Sequence, residues 1–215
     1  MGFRLMAVAI GYLFGLFQTG FIISNYVLHD DLRQKGSGNS GATNALRVFG
    51  VRVGVLVLIG DVLKCVICCL IFKFALKGLL GDQNELMMFY AALGVILGHC
   101  YPFYMKFKGG KGVSSFGGMV MVYDLRVMAI LLSLFIILVA WKRFVSLGSI
   151  CAVSGFLIMV TLFHFLGWHA FPAGQFPEIF VLSLIMVGLI VFGHRANIQR
   201  LLNGTENPLK VGHKE

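Results

Sequence analysis

Val113-Ser-Ser-Phe-Gly-Gly-Met-Val-Met-Val-Tyr123 decides how often this chain crosses a bilayer. The run is apolar but only 11 residues long. Lys106-Phe-Lys108-Gly-Gly-Lys111-Gly112 precedes it and Asp124-Leu-Arg126 follows it. A helix needs roughly 20 residues to cross a hydrocarbon core about 30 Å thick. Merged with Val127–Trp141, the run becomes one long helix and the chain has six spans. Counted alone, it is a short or tilted fourth span of seven.

Charge separates these two topologies. The other apolar runs are Leu5–Leu28, Val51–Leu76, Leu86–Tyr104, Val127–Trp141, Val145–Leu166 and Glu178–Gly193. With seven spans, one side carries Arg33, Lys35, Arg47, Arg52, Lys106, Lys108, Lys111, Lys142, Arg143, Arg195, Arg200, Lys210 and Lys214. The other side holds Arg4, Lys73, Lys77 and Arg126, with Lys64 embedded. Thirteen against four makes the first side cytoplasmic by the positive-inside rule. Six spans would put the last basic segment opposite the first two. The expectation is an all-α integral membrane protein with seven transmembrane helices and a short helix 4. Its N-terminus lies outside and its C-terminus is cytoplasmic.

At 58% hydrophobic and 13% charged over 215 residues, with mean hydropathy +0.87, the composition excludes an ordinary soluble domain. It reads as a single polytopic membrane domain, residues 1–215. The first apolar run is too long for a signal-peptide core and lacks an early basic cluster, so no cleavable signal is expected. The net charge of +9 sits in short loops, which points to anionic lipid headgroups or an anionic substrate. There is no soluble basic domain for nucleic acid. Cys65-Val-Ile-Cys68-Cys69 has CxxC spacing but lies inside a span without a second pair, so it reads as small buried hydrophobes. No metal-ligand spacing is present, and neither a metal nor a cofactor is expected.

Seven spans bring three unusual segments to one face. Lys35-Gly-Ser-Gly-Asn-Ser-Gly-Ala-Thr-Asn-Ala-Leu-Arg47 is polar and Gly-rich between apolar runs. It reads either as a flexible loop of turn residues or as backbone N–H groups cradling an anion, with Arg47 adding charge. Lys106–Gly112 combines lysines, glycines that allow close backbone approach, and a helix start behind them. Positive-inside anchoring explains its charges but not its glycines. His194 and Asn197 lie one helical turn apart and can face one site, where a His can act as general base or bind phosphate. A lone His at such a helix end is more often an interface residue. Asp61 and Lys64, at i, i+3 inside a span, read as a structural pair that neutralises itself and orients its helix. Glu206, among basic neighbours, reads as a structural ion pair.

Three stretches then stand in order: Gly36-Ser-Gly-Asn-Ser-Gly-Ala-Thr-Asn44 with Arg47; Gly98-His-Cys-Tyr-Pro102 running on to Phe107-Lys-Gly-Gly-Lys-Gly-Val113; and His194-Arg-Ala-Asn-Ile-Gln-Arg-Leu-Leu-Asn-Gly-Thr-Glu206. Together they resemble the three signatures of the bacterial membrane glycerol-3-phosphate acyltransferases of the PlsY type. The resemblance covers nearly the whole chain. Gly15-Leu-Phe-Gln-Thr-Gly20 departs from it where the family usually has a Pro, which bears on the shape of span 1. Ser114-Ser115 stands where the family usually has Ala-Thr.

The resemblance implies transfer of a fatty acyl group from acyl phosphate to the 1-hydroxyl of sn-glycerol 3-phosphate. The products are 1-acyl-glycerol 3-phosphate and phosphate, in the first acylation of phospholipid synthesis. The site would face the cytoplasm at a bacterial cell membrane, among membrane lipids, without acyl-CoA. On this reading Gly36, Ser37, Gly38, Asn39, Gly41, Thr43, Asn44 and Arg47 form the acyl-phosphate end. Lys108, Gly109, Gly110, Lys111 and Gly112 bind the glycerol phosphate, and His194 and Asn197 orient its hydroxyl. The proton goes to His194 or to a substrate phosphate oxygen. Ser37 as a covalent nucleophile is the lesser reading, because no base sits at a recognisable spacing. An anion or glycerol-phosphate transporter is a rival, countered by motifs that cluster at one face without an internal repeat. An acyl-CoA enzyme of the His-x4-Asp kind is another, but neither His99 nor His194 has that Asp. The sequence is silent on oligomeric state.

Overall fold

The computed structural model describes residues 2–209, so Lys210, His213 and Lys214 lie outside the described residues. The helices in chain order are α1 (Gly2–Gly15), α2 (Thr19–Ile22), α3 (Ala42–Phe49), α4 (Val51–Leu70), α5 (Lys77–Leu80), α6 (Asn84–Cys100), α7 (Val113–Tyr123), α8 (Leu125–Lys142), α9 (Val145–Phe165), α10 (Phe176–Gly193) and α11 (Arg195–Leu202). No strand occurs among the described residues. Six helical segments are long and apolar enough to cross a membrane: Gly2–Val27, Val51–Ala75, Lys77–Met105, Leu125–Lys142, Val145–Phe165 and Ala173–Gly193. The chain is a multi-pass, all-helical membrane protein.

Val113–Tyr123 does not merge with the helix after it. Asp124 takes extended backbone (φ −159°), and its carboxylate accepts from the amides of Arg126 (2.8 Å) and Val127 (3.3 Å), capping α8. The end of α7 is held by Lys73, whose Nζ donates to Val122 O (2.8 Å) and Tyr123 O (3.3 Å) while pairing with Glu85 (3.1 Å). Tyr123 stacks edge-on against Phe89, near the start of α6, at 5.5 Å.

Two helices meet at backbone distance. Gly11 and Gly15 on α1 face Gly94 and Gly98 on α6, a small-xxx-small pair on each. A Cβ built on Gly15 would meet Gly98 Cα at 2.8 Å, and one on Gly98 would meet Gly15 Cα at 3.0 Å. In lipid no hydrophobic drive pushes helices together, so such close packing is what holds them. Higher residue numbers on α1 meet higher numbers on α6, so the two run parallel and finish at the same face.

Span 1 is interrupted rather than continuous. It stops at Gly15 and resumes at Thr19, within the stretch that departs from the family pattern. The Gln18 amide donates to Gly15 O (3.1 Å), Gly98 O (3.3 Å) and His99 O (3.0 Å). Lys64 Nζ donates to Gly15 O (3.3 Å) and Phe17 O (2.7 Å), besides pairing with Asp61 (3.1 Å). Carbonyls released by the break are thus satisfied inside the protein, the condition for irregular backbone at membrane depth. The buried pair orients α4 and also repairs α1.

Gly94→Leu is expected to force α1 off α6 and lower the thermal midpoint in detergent, at a cost of about 1–3 kcal/mol or more for overpacking. Gly188, where an added Cβ meets nothing within 4 Å, serves as control, and Gly188→Ala should leave the midpoint unchanged or raise it slightly.

Candidate active site

One cavity of about 590 Å³ takes in all three polar segments. Ser37, Asn39, Gly41, Thr43, Asn44 and Arg47 line its polar end, together with Lys111, Gly112, His194, Asn197 and Glu206. From there it continues as an apolar groove between α4, α7, α8 and α9, past Val62, Val120, Leu131 and Phe135.

The first segment is a folded cradle rather than a loose loop. Asn44 is buried, and its Oδ1 accepts from Ser37 N (2.8 Å). Its Nδ2 donates to Leu32 O (3.1 Å), Lys35 O (3.0 Å) and Asn39 O (2.9 Å). The chain wraps this one side chain, and Gly36 (φ +60°) and Gly38 (φ +71°) supply the left-handed backbone the wrap needs. Asn44 therefore holds the loop, and Gly36 and Gly38 shape it without lining the cavity. α3 starts at the rim, where the first-turn amides of Ala42 and Thr43 have no intrahelical partner. Arg33 pairs with Asp31 (2.8 Å) and Lys35 with Asp30 (2.5 Å). The Arg33 guanidinium holds the Asp31 carboxyl below its usual range, aided by the loop backbone. Arg47 meets no carboxylate among the described residues; its Nη2 donates to Asn207 O (3.3 Å).

The second segment hangs from the end of α6. Gly109 N donates to Cys100 O (3.0 Å) and Gly110 N to His99 O (3.1 Å), while Asn39 Nδ2 reaches Gly109 O (3.4 Å) and ties the first two segments together. The glycines are steric necessities here. A Cβ on Gly109 would lie 2.7 Å from Pro102 Cδ, and one on Gly110 would strike the His99 ring. Gly109 and Gly110 thus sit behind the cavity wall, and Lys108 is exposed outside it. Lys111 enters the cavity, and Gly112 (φ +86°) starts α7 beside it, bringing a second helix N-terminus to the same space.

In the third segment His194 Nδ1 donates to Ile190 O of its own helix (2.8 Å), which leaves Nε2 as the acceptor. Asn197 Oδ1 accepts from Lys111 Nζ, and Asn197 Nδ2 donates to Glu206 Oε1 (2.9 Å). Glu206 in turn pairs with Arg200 (3.0 Å). Burial lowers the Lys111 ammonium to about 8, opposed by Glu206 and reinforced by Arg200 and Arg47. Burial, then Lys111, lowers His194 to about 4, so the ring is neutral at pH 7.

Asp61 and Lys64 lie under this site rather than in it. The residue that links them to it, His99, was passed over in the sequence except as part of a motif. Its signal in the sequence is that ionisable pair in the preceding span, which at membrane depth calls for further polar partners beyond each other. Among the described residues no group of three or more His, Cys, Asp or Glu is arranged to hold a metal ion.

The family model described as glycerol-3-phosphate acyltransferase matches residues 5–204. A glycerol-3-phosphate acyltransferase of Syntrophotalea carbinolica is 41% identical over 97% of this chain and 98% of its own length. One from Clostridioides difficile is 36% identical over 98% and 97%. Among solved structures, the integral membrane glycerol 3-phosphate acyltransferase PlsY in its glycerol 3-phosphate form superposes with a TM-score of 0.82. It is 33% identical and covers 96% of each chain. The lysophosphatidic acid form of the same enzyme gives 0.78, at 33% identity over 97% and 96%.

Lysine is cationic below its pKa and neutral above it. Affinity of the detergent-solubilised protein for inorganic phosphate, measured by calorimetry, should hold from pH 7 and fall as pH rises through about 8, where Lys111 loses its proton. Inorganic phosphate only gains negative charge as pH rises, so its own titration cannot produce that fall. Lys111→Arg should abolish the fall, and an unchanged alkaline limb in that variant would remove Lys111 from the anion site.

Proposed function

The chain belongs to the glycerol-3-phosphate acyltransferase family, and from that premise we propose that its acyl donor is acyl phosphate. It is an acyltransferase that makes 1-acyl-glycerol 3-phosphate from glycerol 3-phosphate. One observation carries the donor reading: a phosphate cradle built from two helix starts, Arg47 and Lys111 opens directly into an apolar groove between helices. A headgroup that is only a phosphate, joined to a long chain, has that shape.

The residues fall into roles accordingly. The α3 start with Ser37, Asn39, Thr43 and Arg47 receives the acyl phosphate, whose tail lies along α7 and α8. Lys111 and the α7 start receive the glycerol phosphate, with Lys108 drawing anions in from the rim. His194 Nε2 accepts a hydrogen bond from the attacking hydroxyl, and Asn197 holds Lys111. The hydroxyl oxygen bonds to the acyl carbon as the bond from that carbon to the phosphate oxygen breaks. A mixed anhydride needs mainly positioning and charge stabilisation for this. A histidine held near about 4 orients the hydroxyl but keeps its proton poorly, so the proton passes to the departing phosphate, the stronger base. Ser37 has no base beside it among the described residues and is a ligand rather than a nucleophile.

The same reading includes one domain, seven crossings, the N-terminus outside, and the site on the cytoplasmic face of a bacterial cell membrane. Support for the seventh crossing comes from α7 itself, which starts in the cavity at Gly112 and ends on Lys73 at the opposite end of the bundle. The basic loops support the orientation.

Purified protein should convert radiolabelled glycerol 3-phosphate with palmitoyl phosphate and not with palmitoyl-CoA. Product from the thioester alone overturns the donor assignment, and protein-dependent uptake into vesicles without product favours a transporter. Arg47→Ala should lose about a hundredfold or more in kcat/KM while still folding, as removal of a preorganised charge does. Lys111→Ala should lose more than Lys108→Ala. Acyl label on the protein after donor alone would restore Ser37 as nucleophile.

A further inference from the structure

We propose that His99 is a further substrate-contacting residue: its Nε2–H donates to the phosphate of the bound glycerol 3-phosphate. Asp61 and Lys64 act through it as positioning residues. The inference rests on the acyltransferase reading for the identity of the ligand, but not for the presence of the donor.

His99 ends the apolar part of α6 with about 2% of its surface exposed, yet it lines the cavity. Its two ring nitrogens face different worlds. Nδ1 lies 2.8 Å from Lys64 Nζ. An ammonium can only donate, so Nδ1 is the acceptor and the ring proton sits on Nε2. Asp61, 3.1 Å from Lys64 and 3.7 Å from Nδ1, pairs with the lysine and holds it in place. Thr19 Oγ1 donates to the same Asp61 oxygen (3.3 Å), completing the polar contacts around it.

Nε2 has no hydrogen-bond partner among the described residues. The ring lines the cavity and this nitrogen is not fully enclosed, which makes its unpaired side the place for a ligand acceptor. Gly110 is what leaves it open, since a Cβ there would collide with Nε2 itself. The glycine that hangs from His99 O therefore also uncovers the His99 ring. The loop it belongs to delivers Lys111 to the same anion. A fixed N–H beside a flexible lysine supplies direction that a point charge lacks.

The test has two arms on the detergent-solubilised full chain. In the first, protein labelled with 15N-histidine is titrated with inorganic phosphate, which needs no turnover. The His99 signal, assigned by its loss in His99→Gln, should show a protonated Nε2 that shifts on addition of phosphate. A proton on Nδ1, or an Nε2 that ignores saturating phosphate, overturns the proposal. In the second, His99→Gln, which retains a donor near the Nε2 position, should keep KM for glycerol 3-phosphate within about threefold. His99→Leu should raise it about tenfold or more, the size of one hydrogen bond to a charged group. A purely structural role predicts equal damage from both variants, seen as a lowered thermal midpoint with no difference in KM. If the wild-type protein makes no acylated product at all, the enzymatic reading fails while the phosphate titration still decides the histidine.

Discussion

Lys64 is the contact on which the rest depends. Its ammonium lies 5% exposed within a membrane span and is surrounded by acceptors from three helices: Asp61, two carbonyls at the break in α1, and the ring of His99. An isolated ammonium at that depth costs several kcal/mol, and removing one partner of a buried pair leaves the other uncompensated. Here each acceptor also needs the lysine. Without its protons the Phe17 carbonyl would be orphaned at membrane depth and Gly15 O would keep only the Gln18 amide, which favours closing span 1 into a helix. A closed span 1 would lose the Gln18 turn that clasps Gly98 O and His99 O. Break, ion pair and histidine stand or fall together, and the glycine seam between α1 and α6 sets their distance.

From that point the site is assembled by hanging backbone on backbone. The carbonyls of His99 and Cys100 carry the glycine loop, the loop carries Lys111, and Asn39 ties it to the first segment. α7 then begins where the loop ends. At 11 residues it is about 16 Å long, roughly half a hydrocarbon core. Its shortness lets polar backbone and the first-turn amides reach into the bundle, beside an apolar groove, where an amphiphile's headgroup and chain must both be satisfied. A full-length helix would have left the amides in the headgroup layer and the groove without a polar end.

Membrane class, six of the spans and the three clustered segments were legible in the sequence because each rests on composition over many residues. The limits of α7 were legible for a local reason: glycine before it and an aspartate cap after it punctuate any helix. What stayed hidden depended on contacts distant in sequence. The first signature implies Asn44 as a ligand, and only the wrapped chain reveals that its amide also closes the loop. Lys108 and Lys111 are indistinguishable as letters, yet the direction of a turn puts one outside and the other in the cavity. The break at Gly15–Thr19 carries no proline, and its cause sits some 50 residues later at Lys64. The glycines of α1 and α6 read individually as helix-weakening residues; facing each other, they are the interface.

The charge balance of the site follows from the same geometry and bears on the order of events. Arg47 and Lys111 face the cavity with one buried carboxylate, Glu206, already committed to Arg200 and Asn197. Empty, the pocket carries surplus positive charge in a poorly solvated place; burial above all, with Arg200 and Arg47 adding to it, makes Lys111 easier to deprotonate than a free lysine. The first phosphate to enter relieves this surplus and restores the ammonium, and it binds more tightly for that reason. The second enters a pocket already partly neutralised and gains less. On the proposed acyl-phosphate reading the total charge is unchanged when the acyl group moves, but the departing phosphate loses its covalent tie to the chain in the apolar groove and is then held by charge and hydrogen bonds alone. Product release is thereby tied to the chemical step by the loss of that anchor.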